Sequence, residues 1–289
     1  NDGHSVACLD DLSTGKKRNI TELETNTNFE FFNHDLTKPF FPEKIDAIFN
    51  LACPASPVHY QYNPIRTLKM GTLAMYNVLG MAARLNVPIL QASTSEIYGD
   101  PEEHPQTESY LGNVNPIGPR ACYDEGKRVA EALCIAYESY NNVDIKIARI
   151  FNTYGPFMDP DDGRVVSNFI VQALKDEPIT IYGDGTQTRS FCYVDDLVDG
   201  LIKLINSDYN RPINLGNPDE FNMLEFANLV KEKTGSISEI NFYELPIDDP
   251  KKRCPDISLA NKILNWHPKV NITEGLNYTI EWYSKILNE

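Results

Sequence analysis

The hydrophobic pattern alternates short apolar runs with longer segments in which apolar residues recur every three or four positions. The short runs are typical of strands buried in a parallel sheet, and the periodic segments are typical of amphipathic helices. For example, residues 65–85 repeat Leu68, Met75 and Leu79 at helical spacing. The strands predicted in the first half lie at residues 5–9, 29–32, 46–52, 88–93 and 144–151.

The second half mixes shorter strands with helices and with clusters of glycine and proline. We expect residues 195–215 to return a helix and a strand to the sheet of the first half. The predicted strands lie at residues 179–182 and 213–215, and the predicted helices at about 165–174, 195–205, 224–234 and 273–286.

This pattern predicts an α/β fold, a doubly wound parallel sheet with a smaller α/β lobe. The sheet domain is expected to comprise residues 1–152 and about 190–217. The smaller lobe is expected to comprise about residues 153–189 and 218–289, and to bind the substrate.

Composition limits the partners that the chain can have. Its 289 residues carry a formal net charge of -15 and a pI near 4.8, which disfavours nucleic acid and anionic membrane surfaces. An apolar run long enough to span a membrane and a signal at the start are both lacking, so we expect a cytoplasmic protein. The six cysteines lack any Cys-x-x-Cys spacing, which predicts reduced thiols and no metal site.

Tyr123 and Lys127 stand four residues apart at the start of a predicted helix. Positions i and i+4 share one helix face, so the phenol and the ammonium are expected to lie side by side. A tyrosine that acts as a base near neutral pH needs its pKa lowered by about three units, and a nearby cation can supply that shift. The alternative is that Tyr123 is a core residue of an ordinary βαβ unit.

The predicted strand at residues 88–93 delivers Thr94, Ser95 and Glu96 at its carboxyl end. In an open parallel sheet ligands bind at that end of the strands. The next strand again ends in a polar residue, Asn152. Strand, hydroxyl cluster, Tyr-Lys helix and strand therefore follow in the order that a doubly wound dehydrogenase requires.

Two aspartates predict the nucleotide cofactor. Asp10 ends the strand at residues 5–9, where a carboxylate suits the ribose diol of NAD and would repel the 2′-phosphate of NADP. Asp35 follows the strand at residues 29–32, a position from which it could meet the adenine amino group.

Arginines of the second half predict an anionic substrate. Arg164 stands near Asn168 at the head of a helix, Arg189 follows Gln187, and Arg253 lies in a basic cluster. Guanidinium groups match phosphate bidentately, so their convergence in an acidic protein predicts a diphosphate. Each could instead be a surface arginine. Tyr182 could stack on uracil or be a core aromatic.

Five motifs of the chain carry a family resemblance. They are Ala-Cys-Pro-Ala-Ser-Pro at 52–57, Ser-Thr-Ser-Glu-Ile-Tyr-Gly-Asp-Pro at 93–101, residues 115–128, Gly-Arg-Val-Val-Ser-Asn-Phe at 163–169 and Gln-Thr-Arg-Ser-Phe at 187–191. Together they resemble the UDP-glucuronic acid decarboxylases of the extended short-chain dehydrogenase/reductase superfamily, and the resemblance covers essentially the whole chain. It implies a Rossmann-like NAD-binding fold, and a homodimer formed through the helix at residues 65–85 and the Tyr-Lys helix.

The resemblance implies that bound NAD oxidises the sugar C4 hydroxyl of UDP-glucuronate, that carbon dioxide leaves, and that the hydride returns to give UDP-xylose. Tyr123 is then the base, Lys127 binds the cofactor ribose and lowers the Tyr123 pKa, and Thr94 donates to the same oxygen. Glu96 is implied to face the sugar ring, and Arg253 the region near C5.

The resemblance also implies the residues that bind each ligand. For the cofactor these are Asp10, Asp35, Leu36, Leu51, Ala52, Tyr123 and Lys127. For the nucleotide sugar they are Ser56, Asn152, Arg164, Asn168, Tyr182, Gln187, Arg189 and Arg253.

Ser95 separates the closest enzymatic alternatives. Nucleotide-sugar 4,6-dehydratases resemble this chain but carry an aspartate there as a general acid. A neutral serine cannot protonate a leaving group, and it spares the substrate carboxylate from a like charge. Decarboxylation is therefore preferred over dehydration, while a UDP-sugar 4-epimerase remains the nearest alternative because it shares the threonine, tyrosine and lysine.

The printed sequence opens at Asn1, where the family has the end of its first helix, so the first strand and the glycine-rich phosphate loop are not found in it. Two explanations stay open. The sequence is a fragment, or the protein binds NAD weakly and serves as a catalytically impaired nucleotide-sugar-binding protein.

Overall fold

The computed structural model describes residues 3–246, 248, 250 and 252–288, so Asn1 and Asp2 lie outside the described residues. In that part of the chain short strands alternate with helices in chain order, as the hydrophobic pattern predicts. The strands are β1 Val6–Asp10, β2 Phe29–Asn33, β3 Ile48–Asn50, β4 Ile89–Thr94, β5 Ile145–Ile150, β6 Thr153–Tyr154, β7 Ile179–Tyr182, β8 Thr188–Ser190, β9 Cys192–Tyr193, β10 Pro212–Leu215, β11 Glu220–Asn222, β12 Ile240–Tyr243 and β13 Lys252–Arg253.

The predicted helices of the second half are present, with ends that differ by at most one residue. The helices are α1 Pro57–Tyr62, α2 Pro64–Lys69, α3 Met75–Leu85, α4 Ala121–Asn141, α5 Val165–Leu174, α6 Val194–Ile205, α7 Met223–Thr234, α8 Ser258–Leu264 and α9 Ile272–Leu287. The Tyr-Lys helix is present as α4. Two short helices, α1 and α8, were not predicted.

A four-stranded parallel sheet with the order β10-β5-β4-β3 forms the centre of the first lobe. One face packs on α3 and α4 through a core that includes Met75, Leu79 and Cys134. The other face packs on α6 and α8 through a core that includes Leu201 and Trp266. Helices on both faces of a parallel sheet confirm the predicted doubly wound α/β class. The pairing of β10 with β5 also confirms that residues 195–215 return to this sheet.

Strands β1 and β2 form a separate parallel pair, in which Val6 lies beside Phe29 and Asp10 beside Asn33. Within the described ranges no ladder joins β1 to β3.

The prediction of a single helix at residues 65–85 is wrong in detail. A five-residue π-helical segment, Met70–Ala74, separates α2 from α3. There Gly71 packs directly on Gly126 of α4, and a Cβ on Gly71 would lie 2.5 Å from the Gly126 carbonyl oxygen. The hydrophobic spacing could not show this distortion, because a π turn shifts the helical phase by only one residue.

The second lobe has its own core, in which Phe169, Phe191 and Phe226 pack between α5, α7 and the neighbouring strands. Strand β8 lies between β11 and β13, and this sheet sets Arg253 directly beside Arg189. Most of these strands have only two to four residues, too few for an alternating pattern to be recognised.

Across the described residues, no helix combines the length and the apolar composition that crossing a membrane requires. All six cysteines are free thiols.

Candidate active site

The predicted neighbours Tyr123 and Lys127 lie on the first turns of α4, and both side chains are buried. The Lys127 ammonium lies 5.7 Å from the centre of the Tyr123 ring and donates to the carbonyl oxygen of Ala92 at 2.7 Å. Because Ala92 belongs to β4, this bond joins the helix to the strand that carries Thr94. The predicted side-by-side arrangement is therefore present.

The predicted lowering of the Tyr123 pKa is wrong for this structure. Burial raises the pKa of the phenol above its ordinary value, and the Cys53 thiol raises it further. A hydrogen bond with Thr94 and the charge of Arg164 oppose that rise without overcoming it. The Tyr123 phenol is consequently neutral near pH 7 when the chain carries no further positive charge at the site.

Thr94 ends β4, and the chain turns there into the 3₁₀ segment Ser95–Tyr98. The Thr94 hydroxyl caps that segment by accepting from the Glu96 backbone N–H at 3.2 Å. Thr94 and Ser95 are both buried at this end of the strand. The turn therefore fixes two hydroxyls and a carboxylate at the carboxyl edge of the sheet, next to Tyr123.

Glu96 is held by two arginines from different parts of the chain. Arg253 of β13 forms a bidentate pair with its carboxylate at 2.6 and 2.7 Å, and Arg120 donates to Glu96 Oε1 at 2.7 Å. Burial opposes ionisation, but the Arg253 and Arg120 guanidiniums outweigh it and lower the pKa of Glu96 to about 2. The triad therefore joins the two lobes and carries one net positive charge at neutral pH.

Asp124 adds a second carboxylate with the opposite behaviour. It is buried next to Tyr123 in the sequence, and its Oδ1 atom has no hydrogen-bond partner among the described residues. Burial and the nearby Glu96 charge raise the pKa of Asp124 to about 7, against the opposing influence of Arg120 and Arg253. Carboxylates whose pKa values are driven apart in this way are typical of functional sites.

Tyr60 of α1 covers Tyr123. The two rings are stacked with their centres 5.0 Å apart and an angle of 11° between their planes. The Tyr60 hydroxyl is buried and has no hydrogen-bond partner within the described part of the chain. Burial raises its pKa above the ordinary value.

Sequence reasoning gave no role to Tyr60, Arg120 or Asp124. Arg120 and Asp124 stand on either side of Tyr123 in the motif at residues 115–128, and their helical spacing was the available signal. Tyr60 had no signal, because its contact with Tyr123 joins distant parts of the chain.

The predicted substrate residues of the second lobe fall into two groups. Arg164 forms an ion pair with Asp162 and acts electrostatically on Tyr123, so it lies near the catalytic pair. Arg189 is buried and shares a face of its sheet with Arg253, because directly paired residues of parallel strands point the same way.

The remaining predicted substrate residues make local contacts. Asn168 donates to the Gly163 carbonyl oxygen, and Gln187 donates to the carbonyl oxygen of Tyr182, whose ring is exposed. Ser56 is buried, and its hydroxyl oxygen lies 3.0 Å from His59 Nδ1. Asn152 follows β5 and is half-buried.

The predicted cofactor residues follow strand ends. Asp10 ends β1 and accepts from the Leu12 backbone N–H at 2.6 Å, and Asp35 accepts from the backbone and hydroxyl of Thr37. Leu36 packs against the first-lobe core, while its carbonyl accepts from Asn77. Leu51 is exposed after β3, and Ala52 beside it is half-buried.

These residues fit a dinucleotide. Gly15 packs closely on the Asp10 carboxylate, since a Cβ there would lie 3.2 Å from both of its oxygens. The lack of a side chain at Gly15 leaves these oxygens uncrowded, and a carboxylate at this position can accept from the two hydroxyls of a ribose. Lys127 and Tyr123 supply a cation and a phenol beside β4.

Comparisons with known proteins agree with this geometry. Residues 1–216 match the NAD dependent epimerase/dehydratase family. UDP-glucuronic acid decarboxylase 1 of Xenopus tropicalis is 54% identical over 286 residues, which cover 99% of this chain and 68% of that protein. UDP-glucuronic acid decarboxylase 1 of Arabidopsis thaliana is 53% identical over 288 residues, which cover 99% of this chain and 66% of that protein. The resemblance drawn from the motifs is confirmed.

A solved structure shows the same fold. UDP-glucuronic acid 4-epimerase from Bacillus cereus, in complex with UDP-glucuronic acid and NAD, aligns with a TM-score of 0.88 and 26% identity. The alignment covers 99% of this chain and 93% of that one.

Proposed function

The chain belongs to the NAD dependent epimerase/dehydratase family, and we propose that it converts UDP-glucuronate to UDP-xylose and carbon dioxide through a 4-keto intermediate. The observation that carries this proposal is the Glu96 triad with Arg253 and Arg120, set beside Thr94 and Tyr123. Its net positive charge, in a chain with a formal net charge of -15, attracts a substrate carboxylate to the catalytic pair.

In this proposal Tyr123 accepts the proton of the sugar C4 hydroxyl, and Thr94 donates a hydrogen bond to the same oxygen. NAD, when bound, would supply the hydride acceptor for C4 and the hydride donor for the later reduction, and its positive charge would favour the phenolate form of Tyr123. Asp10 and Asp35 would hold its adenosine portion, and Lys127 its other ribose. The hydrogen bond from Lys127 to the Ala92 carbonyl holds α4 against β4. The Tyr123 phenol and the Thr94 hydroxyl can therefore both reach the C4 oxygen of the sugar.

A C4 ketone makes the substrate a β-keto acid, which loses carbon dioxide as the C5–C6 bond breaks and its electron pair enters a C4 enolate. C5 then takes a proton from water, which restores the C4 ketone before the hydride returns to C4. The neutral Tyr123 phenol that results from proton uptake can donate to that enolate. Burial favours this neutral form, so the raised pKa of Tyr123 assists the second half of the reaction. Ser95 adds no charge near C6, in contrast with the aspartate of the resembling dehydratases.

We propose that Arg189 binds the diphosphate, on the same face of its sheet as Arg253. Arg164 is proposed as a second phosphate ligand, with Asn168, Gln187 and Tyr182 around the nucleotide, and with Ser56 and Asn152 near the sugar. The proposed division of labour gives the first lobe, residues 1–152 and about 190–217, to NAD and the remainder to the nucleotide sugar. The return of β10 to the central sheet supports that division.

The direct test supplies UDP-glucuronate labelled in its carboxyl carbon, together with NAD, and identifies the products by chromatography against standards followed by mass spectrometry. Decarboxylation predicts labelled carbon dioxide and UDP-xylose in equal amounts. UDP-galacturonate that keeps its label would instead make the chain a 4-epimerase. Binding of UDP-glucuronate without turnover would make it a nucleotide-sugar-binding protein.

We further propose a homodimer formed through α2, α3 and α4. Large apolar side chains are exposed along these helices and the π segment between α2 and α3, among them Leu68, Leu73, Tyr76 and Val129. Burial of such a face against a second copy would remove it from water. Sedimentation equilibrium should give twice the chain mass, and Leu73→Glu should shift the protein to monomer.

Six free thiols support the proposal that the protein works in a reducing compartment such as the cytoplasm.

A further inference from the structure

His104, Glu220 and Cys254 come from three separate segments and meet outside the Tyr123 site. One potential ligand atom from each lies within 4.8 Å of the others. His104 Nε2 is 2.9 Å from Glu220 Oε2, and the Cys254 thiol donates to the Pro218 carbonyl oxygen at 3.3 Å. His104 and Glu220 are exposed and Cys254 is buried, so solvent reaches the cluster from one side.

Surrounding contacts orient the Glu220 carboxylate and hold the backbone of Cys254. Thr188 donates to the second Glu220 oxygen at 2.6 Å and thereby orients the carboxylate. Gln106, two residues after His104, makes two hydrogen bonds with the Cys254 backbone, one from its own N–H and one to its side-chain oxygen. Carboxylates and imidazoles that ligate metals are typically oriented by outer hydrogen bonds of this kind.

We propose that His104, Glu220 and Cys254 form a binding site for a zinc ion. Imidazole, carboxylate and thiolate are the three side-chain ligands that zinc prefers, at about 2.0 to 2.3 Å from the metal. Atoms within 4.8 Å of one another reach such distances around one ion with small movements. A water molecule would complete a tetrahedral site. The Cys254 sulfur binds as thiolate, and its proton passes to solvent.

Charge around the cluster favours a cation. Asp219 and Asp256 act electrostatically on Cys254, which places two further carboxylates near the three ligands. The sequence predicted no metal because these ligands are more than thirty residues apart, with no short motif to reveal them. The proposed site departs from that expectation.

The site would stabilise a segment that the active site uses. Cys254 directly follows Arg253, which pairs with Glu96, and Glu220 begins the strand that pairs with β8, next to Arg189. A metal shared by the two segments would hold β11 and β13 on either side of β8. Zinc here would stabilise the position of Arg253 and would take no part in the proposed reaction.

Cobalt(II) titration of the chain without a polyhistidine tag tests the proposal, because cobalt reports thiolate ligation by a charge-transfer band in the near ultraviolet. The expected result is one ion per chain with that band, and displacement of cobalt by zinc. Cys254→Ser should abolish the band, and His104→Ala should weaken cobalt binding by about tenfold or more. The control His267→Ala changes an exposed histidine and should have no effect.

Glu220→Gln provides a variant in which folding should survive, since the amide can still bond to His104 and Thr188. It should weaken cobalt binding by about tenfold as well. The absence of a thiolate band in the unmodified chain would overturn the proposal. An unchanged band in Cys254→Ser, or unchanged affinity in Glu220→Gln, would overturn it equally.

Discussion

Replacement of Asp124 by asparagine should change how the stability of the protein depends on pH. Asp124 is buried, and burial together with Glu96 raises its pKa to about 7, compared with an ordinary value of 3.8. The folded chain therefore holds this proton more tightly than the unfolded chain does. Its contribution to stability is fully present below about pH 4 and is lost as the pH rises through about 7.

The separation between the two pKa values is about three pH units, and each unit corresponds to ~1.4 kcal/mol. Asp124 should thus lower the free energy of unfolding by up to roughly 4 kcal/mol between pH 4 and pH 8. Glu96 does not obscure this change. Its pKa is lowered to about 2, so its contribution is present above the ordinary pKa of 4.5 and is lost only as the pH falls toward 2.

Urea unfolding followed by circular dichroism, from about pH 5 to about pH 8, measures the effect. The stability of Asp124→Asn relative to the unmodified protein should rise by roughly 3 kcal/mol across this range, because about two of the three pH units of separation lie within it. Asp199→Asn is a suitable control, because that carboxylate lies in an exposed pair with Lys203. Parallel profiles for the unmodified chain and Asp124→Asn would refute the reasoning about this group.

Three further substitutions test the proposed roles of site residues. Tyr123→Phe should reduce turnover by about 10²-fold or more while UDP binding survives. Tyr140→Phe, on the exposed part of the same helix, should leave turnover unchanged. Near-normal turnover in Tyr123→Phe would remove Tyr123 from the chemistry. Ser95→Asp should weaken UDP-glucuronate more than UDP-xylose in calorimetry, by about 1 kcal/mol or more, and equal losses would show that Ser95 does not face C6. Arg189→Lys should weaken UDP itself, with Arg211→Lys as an exposed control, and unchanged UDP affinity would place Arg189 elsewhere.

The long elements were predictable because the hydrophobic pattern is repeated many times within them. Helix α5 and strand β7 have the predicted bounds, and β4 delivers Thr94 to the expected edge of the sheet. The hydrophobic pattern could not predict two features. The π segment at Met70–Ala74 depends on the close packing of two glycines, and strands such as β13 exist only because a neighbouring strand pairs with them.

Site residues that lie close together in the sequence could be predicted. Those that meet only through contacts between distant segments could not. The spacing of Tyr123 and Lys127 placed both on one helix face. The sign of the Tyr123 pKa shift was wrong, because burial cannot be judged from spacing and outweighs the opposing influences. The pairing of Arg253 with Glu96 spans 157 residues, and only the fold shows that they neutralise each other.

The most direct test of the central claim follows one hydrogen atom through the reaction. UDP-glucuronate deuterated at C4 is converted by the chain with NAD in ordinary water, and the product is examined by NMR. Oxidation and reduction at the same carbon, around a decarboxylation, predict UDP-xylose that retains deuterium at C4. UDP-xylose without that deuterium, or a product that retains its carboxylate, would contradict the proposed function.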